Sequence, residues 1–318
     1  MKCRICGNED TEVLTTKLRR GKGMVYYCPY CDYGMLESAF DDAKEYYDKE
    51  YRKKFKNDLT VEERESAKSL YEMQKDYQTD RLNIISKYYD ENKSFLEIGS
   101  SSGQFLSHII GKFKNISGVE LDDAGAGFCK NLIVEMGGDE PDIYTQSIEN
   151  INWKKDEKFD YIGFFQVLEH IDDLFEFLKC VNDRLKDDGK VFIEVPNLYD
   201  PLLKLWDVPA YETFYYHEAH LSYFSEKSLS TVLAKSGFKV EEMFYLQDYN
   251  LLNNLFWYFN NKPQESCIFG LNKPHIEFRD EAAGKEVNAL FEKMNKEYFE
   301  ILARHKMTSN MFCIASKQ

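Results

Sequence analysis

The sequence predicts an α/β protein built on a doubly wound parallel sheet, preceded by a small cysteine-rich module. Short apolar runs alternate with helical patterns from residue 94 onward, a glycine-bounded turn follows the first run, and two Cys-x2-Cys pairs stand near the amino end. The 318 residues suit roughly two domains. Hydrophobic residues at 43% and charged residues at 30% allow a packed core. With 41 Lys+Arg against 55 Asp+Glu, the net charge of −14 opposes a protein that coats nucleic acid. Lys17, Arg19, Arg20 and Lys22 form a local basic patch near the amino end. No apolar run reaches bilayer length, and Met1–Gly7 does not resemble a secretory signal, so the expectation is a cytoplasmic protein without a membrane partner.

Cys3 and Cys6 form one pair and Cys28 and Cys31 the other, with a weakly alternating spacer (Glu12–Leu14, then Met24–Tyr27) that suits a hairpin. Each pair fits a knuckle aiming two thiolates at one ion. Four thiolates make a closed, structural Zn2+ site with no open position for water. Gly7 and Gly34 are expected to turn the backbone so that N–H groups reach sulfur. Residues 1–37 are therefore read as a zinc ribbon. Cys129, Cys180, Cys267 and Cys313 stand singly in apolar contexts and read as buried thiols. Residues 38–80 read as a helical linker, with Leu70, Met73 and Tyr77, then Leu82 and Ile85, at helical spacing. Tyr46, Tyr47 and Tyr51 form an aromatic group expected to serve helix packing.

Residues 81–318 read as the main domain. Ser94–Ile98 suits a buried parallel strand, Gly99–Gly103 a ligand-approaching turn, and Gln104–Lys112 a helix. The dinucleotide pattern Gly-x-Gly-x-x-Gly and the P-loop lysine are both absent from this turn. Ile116–Asp122 reads as a second strand whose Glu120 can accept both hydroxyls of a ribose. Phe159–Phe165 and Gly189–Asn197 read as further strands, separated by a helix carrying Leu174, Phe177, Leu178, Val181 and Leu185. Ser225 caps a helix to Gly237, Phe238–Leu246 is a strand, Leu251–Phe259 and Asp280–Lys306 are helices, and Met311–Ala315 is a last, inserted strand.

Four segments taken in order (FLEIGSSSGQF at 95–105, GVELD at 118–122, FDYIGFFQVLEH at 159–170 and GKVFIEVPN at 189–197) resemble the motifs of class I S-adenosylmethionine-dependent methyltransferases. The resemblance spans roughly residues 80–245 and implies a Rossmann-like, seven-stranded sheet. It implies S-adenosylmethionine as cofactor and S-adenosylhomocysteine as product. It further implies Glu97, Gly99, Ser101 and Gly103 at the methionine end, Glu120 with Leu121 at the ribose, Ser147 and Ile148 at the adenine, and Gln166 near the sulfonium.

Leu198–Ser225 is rich in tyrosine and histidine and follows a strand's carboxyl end, where such folds bind ligands, so it reads as a substrate lid. Its HEAHLSYFS stretch (217–225) resembles a motif of bacterial nucleotide-sugar C-methyltransferases, which also carry a cysteine ribbon; here Ala219 separates Glu218 from His220. His220 is the candidate base, Glu218 its orienting partner, and Tyr216 and Tyr223 candidate donors to a developing enolate. The expected activity is methyl transfer to a small acceptor, a nucleotide-linked sugar in surface-glycan synthesis. Two alternatives stay open: an RNA methyltransferase clamping RNA with its ribbon, and a non-catalytic scaffold that binds a partner.

Overall fold

The computed structural model describes residues 1–19, 22–37 and 66–318. The aromatic group at 46–51, Arg20 and most of the expected linker lie outside them. The described residues fall into two compact units.

The first unit comprises the described residues within Met1–Ala39, Val195–Leu229 and Met243–Phe312. In its ribbon, β1 (Glu12–Thr15) pairs antiparallel with β2 (Val25–Cys28), and β2 with β3 (Tyr33–Leu36). The two cysteine knuckles are alike. Gly7 N–H donates to the Cys3 carbonyl at 2.9 Å, and Asp32 N–H to the Cys28 carbonyl at 2.9 Å. Both residues take positive φ (76° and 56°). Asp32 thus fills the turn role expected of Gly34. Gly34 instead lies inside β3, opposite Tyr223, where an added Cβ would sit 3.0 Å from the Tyr223 Cβ. The absence of a side chain lets a further strand close on the ribbon.

In the second unit, α1 (Ala67–Gln74) and α2 (Thr79–Ile85) precede β4 (Asp90–Ile98). There follow β5 (Phe113–Val119), α3 (Asp123–Glu135), β6 (Asp142–Tyr144), β7 (Phe159–Phe165), α4 (Leu174–Arg184) and β8 (Leu185–Pro196). The first unit contributes α5 (Pro201–Lys204), α6 (Pro209–Tyr215) and β9 (Ser222–Phe224). Next come α7 (Glu226–Lys235), β10 (Phe238–Leu246), α8 (Leu251–Asn260), α9 (Ile268–Leu271), α10 (Glu281–Arg304) and β11 (Asn310–Lys317).

The main sheet has seven strands in the order β10-β11-β8-β7-β4-β5-β6, so the last strand inserts between β10 and β8. Strands β4, β5, β6, β7 and β8 pair in parallel. Chain order reverses at β4, which places the topological switch, and hence the ligand crevice, at the carboxyl ends of β4 and its neighbours. Apolar side chains fill these strands: Phe95, Leu96, Ile162, Phe164, Val191 and Phe192 have no exposed surface. Ser94 N–H and Oγ both donate to Asp160 at 2.9 Å, which pins β4 to β7.

The helix expected over Gln104–Lys112 is reduced to a single 3-10 turn, Leu106–Ile109. Buried Ile109 and left-handed Gly111 (φ 70°) end it, and β5 already begins at Phe113. The turn after β4 therefore does not open onto a regular α-helix. Cys129 and Cys313 are buried as expected, whereas Cys180 and Cys267 are only half-buried. None of the described helices is long and apolar enough to cross a membrane.

Candidate functional site

At the end of β4 the backbone turns through Gly99 (φ 78°) and Gly103 (φ 81°). An added Cβ would lie 2.6 Å from Val167 Cγ2 at the first and 2.8 Å from Cys129 Sγ at the second, so both positions admit only glycine without rearrangement. Between them Ser101 also takes positive φ (48°), a costly conformation for a side-chain-bearing residue. Glu120, just beyond β5, holds it there. Its Oε2 accepts from Ser101 N–H at 2.8 Å and its Oε1 from Asp122 N–H at 2.7 Å. Asp122 in turn caps α3 by accepting from Gly125 N–H at 3.0 Å.

Glu97, the penultimate residue of β4, is 5% exposed, and its Oε2 has no hydrogen-bond partner among the described residues. Burial pushes its carboxyl up to about 8, with Arg81 pulling the other way and Glu120 adding to the rise. A buried acid with a vacant acceptor oxygen fits a cationic group brought by a ligand. Leu121, beside Glu120, exposes 47% of its surface, an apolar face suited to a ring. Ser147 is half-buried and Ile148 buried in the segment that follows β6.

Gln166 follows β7 in the left-handed region (φ 57°). Its N–H donates to the Glu194 carbonyl at 2.8 Å and its Nε2 to Glu194 Oε1 at 3.0 Å. Arg81 grips the same carboxylate with both arms, at 2.8 and 2.6 Å, and stacks its guanidinium 5.0 Å from the Phe165 ring centroid. Burial would raise Glu194, but Arg81 and Gln166 hold it below the ordinary range. Sequence reasoning missed this clamp. The available signal was a carboxylate in the middle of the apolar run Val191–Pro196, which requires a buried cation partner. Glu169 is fully buried and its carboxyl is likewise pushed up to about 8 by burial.

In the first unit, β9 adds antiparallel to β3, so the ribbon sheet runs β1-β2-β3-β9 and takes in Ser222–Phe224 of the HEAHLSYFS segment. Tyr33 and Ser222 share a 2.6 Å hydroxyl contact, and Ser225 Oγ donates to the Asp32 carbonyl at 2.6 Å. Ser225 also forms a capping pair with Ser228 at the start of α7. The Tyr223 hydroxyl accepts from His217 N–H at 3.0 Å and donates to the His217 carbonyl at 3.2 Å, which fixes the loop 217–222. Within that loop the His217 and His220 rings lie 3.8 Å apart, and His220 N–H donates to the His217 carbonyl at 3.2 Å. Glu218 is buried. Tyr216 packs edge-on against Tyr223 at 4.9 Å, and burial raises both phenols well above their ordinary range.

The ligand atoms of Cys3, Cys6, Cys28 and Cys31 lie within 4.8 Å of one another, and Cys6 Sγ is 3.7 Å from Cys28 Sγ. A tetrahedral ion with Zn–S bonds of about 2.3 Å needs sulfur–sulfur edges of about 3.8 Å. The donor set therefore fits a zinc ion.

A parallel sheet that presents a glycine turn, a backbone-braced carboxylate and a buried acid at its switch point has the architecture of the class I S-adenosylmethionine-dependent methyltransferases. The methyltransferase-domain family model matches residues 70–243, more than half of the chain, and the chain belongs to that family. It is similar to a methyltransferase structure from Archaeoglobus fulgidus, at 20% identity over 84% of this chain and 100% of that one, with a TM-score of 0.48. It is also similar to one from Clostridium acetobutylicum, at 14% identity over 84% and 96%, with a TM-score of 0.45. No curated protein matches the chain.

Proposed function

We propose that this methyltransferase acts on a small sugar-type acceptor, a nucleotide-linked sugar used for surface glycans. The observation that supports the reading most is the bracketed loop 217–222. A histidine pair is fixed there by a buried tyrosine, in the loop that leads into a strand continuing a four-cysteine ribbon.

The cofactor, when bound, supplies an activated methyl group. In this reading Glu97 receives its ammonium and Glu120 accepts its ribose hydroxyls. Leu121, Ser147 and Ile148 enclose the adenine. Gly99, Ser101 and Gly103 let the backbone approach the methionine end, and Gln166, fixed by Glu194, faces the sulfonium. His220 takes a proton from the acceptor onto a ring nitrogen, and Glu218 orients it. Tyr216 donates a hydrogen bond to the acceptor oxygen, while Tyr223 keeps the loop in place. Alignment of this kind is worth about 7–11 kcal/mol of barrier, and a positioned base about 10²–10⁴-fold. Cys3, Cys6, Cys28 and Cys31 hold a structural zinc ion and so support the edge on which β9 and the histidine loop before it are registered.

The test is incubation of the metal-loaded chain with methyl-labelled S-adenosylmethionine and a panel of nucleotide-linked sugars, with mass spectrometry of the products. Label on a sugar carbon or oxygen is the expected result. Label only on RNA would favour the clamp reading instead. Tight S-adenosylhomocysteine binding with no turnover on any acceptor would favour the scaffold reading.

A further inference from the structure

One cation of the ribbon is unaccounted for. Arg19, in the β1–β2 connection, is half-buried, and its Nε is fully buried without a hydrogen-bond partner among the described residues. A desolvated guanidinium N–H without an acceptor is costly and calls for an explanation. Its placement is built rather than incidental. Arg19 N–H donates to the Tyr216 carbonyl at 2.8 Å, and the guanidinium stacks on Phe214, 4.5 Å from the ring centroid. Phe214 is itself wedged against Tyr211 and Trp257, at 5.7 and 5.2 Å. Two residues earlier, Lys17 pairs with Glu212 of α6 at 2.7 Å, tethering the connection to the same helix. That pairing engages Glu212, the carboxylate of α6, and among the described residues Arg19 is stacked on Phe214 without an ion pair. Tyr216 directly precedes His217, so the Arg19 main chain is anchored beside the bracketed histidine loop.

We propose that Arg19 is a binding residue for a phosphate group of the acceptor. Arg19, held by the Tyr216 main chain on a Phe214 platform, offers a planar fork that suits phosphate oxygens in two-pronged contact. The ribbon in this view contributes directly to acceptor binding as well as bracing β9. The inference rests on the reading of the acceptor as a nucleotide-linked sugar, whose diphosphate would be the anion.

The experiment is calorimetry of the metal-loaded full chain with inorganic pyrophosphate and with the 5′-diphosphates of uridine, thymidine and guanosine. It is repeated on Arg19→Met and Arg19→Lys, with S-adenosylhomocysteine binding as a control for folding. At least one nucleoside diphosphate should bind the parent chain. Arg19→Met should bind it at least tenfold more weakly, Arg19→Lys should lie between, and S-adenosylhomocysteine affinity should not change. Equal nucleoside-diphosphate binding by Arg19→Met and parent overturns the anchor but leaves the sugar reading standing. Arg19-dependent pyrophosphate binding that no nucleoside improves upholds the anchor and removes the nucleotide from the acceptor. No binding of any of the four to the parent chain overturns the proposal.

Discussion

The carboxyl end of the main sheet and the ribbon with its added strand are built in opposite ways. At the sheet, backbone does most of the work: two left-handed glycines, a left-handed serine and a carboxylate that accepts two N–H groups. In the ribbon unit, side chains dominate: a tyrosine bracketing a histidine, an arginine stacked on phenylalanine, four thiols in one cluster. A backbone site suits a ligand common to a whole family, because it tolerates little variation. A side-chain site suits the partner that distinguishes one family member from the next.

The sharpest way to break this division is a crossed pair of variants. His220→Ala should lower turnover by about 10²–10⁴-fold while leaving S-adenosylhomocysteine affinity unchanged. Glu120→Ala should weaken that affinity by about a hundredfold, since it removes a charged acceptor and releases Ser101 from its strained conformation. Rates and calorimetric affinities that fail to separate in this way would dissolve the distinction.

A smaller effect sharpens the sheet side. The Glu97 carboxyl is pushed up to about 8 by burial, so it is largely protonated at neutral pH. An ammonium group favours its ionised form. Binding of S-adenosylhomocysteine at pH 7 should therefore release up to about one proton, seen as a dependence of the binding heat on buffer ionisation enthalpy, and affinity should rise as pH approaches about 8. Glu97→Gln should abolish the release. The sign for folding is opposite. The folded chain holds this proton more tightly than the unfolded chain, so Glu97's contribution to stability is present below the ordinary carboxyl range. It is lost as pH rises through about 8.

The smallest effect concerns Ser100, whose buried hydroxyl has no partner among the described residues. Ser100→Ala should leave binding unchanged and raise the melting temperature by about 2–4 °C, the shift expected for roughly 1 kcal/mol in a chain of this size.

The two regions also differ in how far the sequence discloses them. Glu97, Gly99, Gly103 and Glu120 stand within one strand–turn–strand stretch, so local pattern is enough to place them. The Arg81–Glu194 clamp joins residues 113 apart, and Tyr33 meets Ser222 across 189. Periodicity carries no information about such pairings, which arise only when the chain is packed. The Cys knuckles were legible because their spacing is local. The role of Gly34 was not, because it depends on Tyr223 in β9. The helix expected after Gly103 failed for a local reason that could have been weighed, since Ile109-Ile110-Gly111 leaves little room before β5.

The pairing of β3 with β9 ties the histidine loop to the state of four sulfurs. Cys31 and Asp32 stand directly before β3, and Asp32 and Tyr33 bond Ser225 and Ser222 at either end of β9. Oxidation of any knuckle thiol would loosen the edge on which that loop is registered, yet leave the glycine turn intact. With His220 as the proposed base, such a chain would still load its methyl donor while losing the ability to spend it, and oxidant exposure would show as idle occupancy rather than as unfolding.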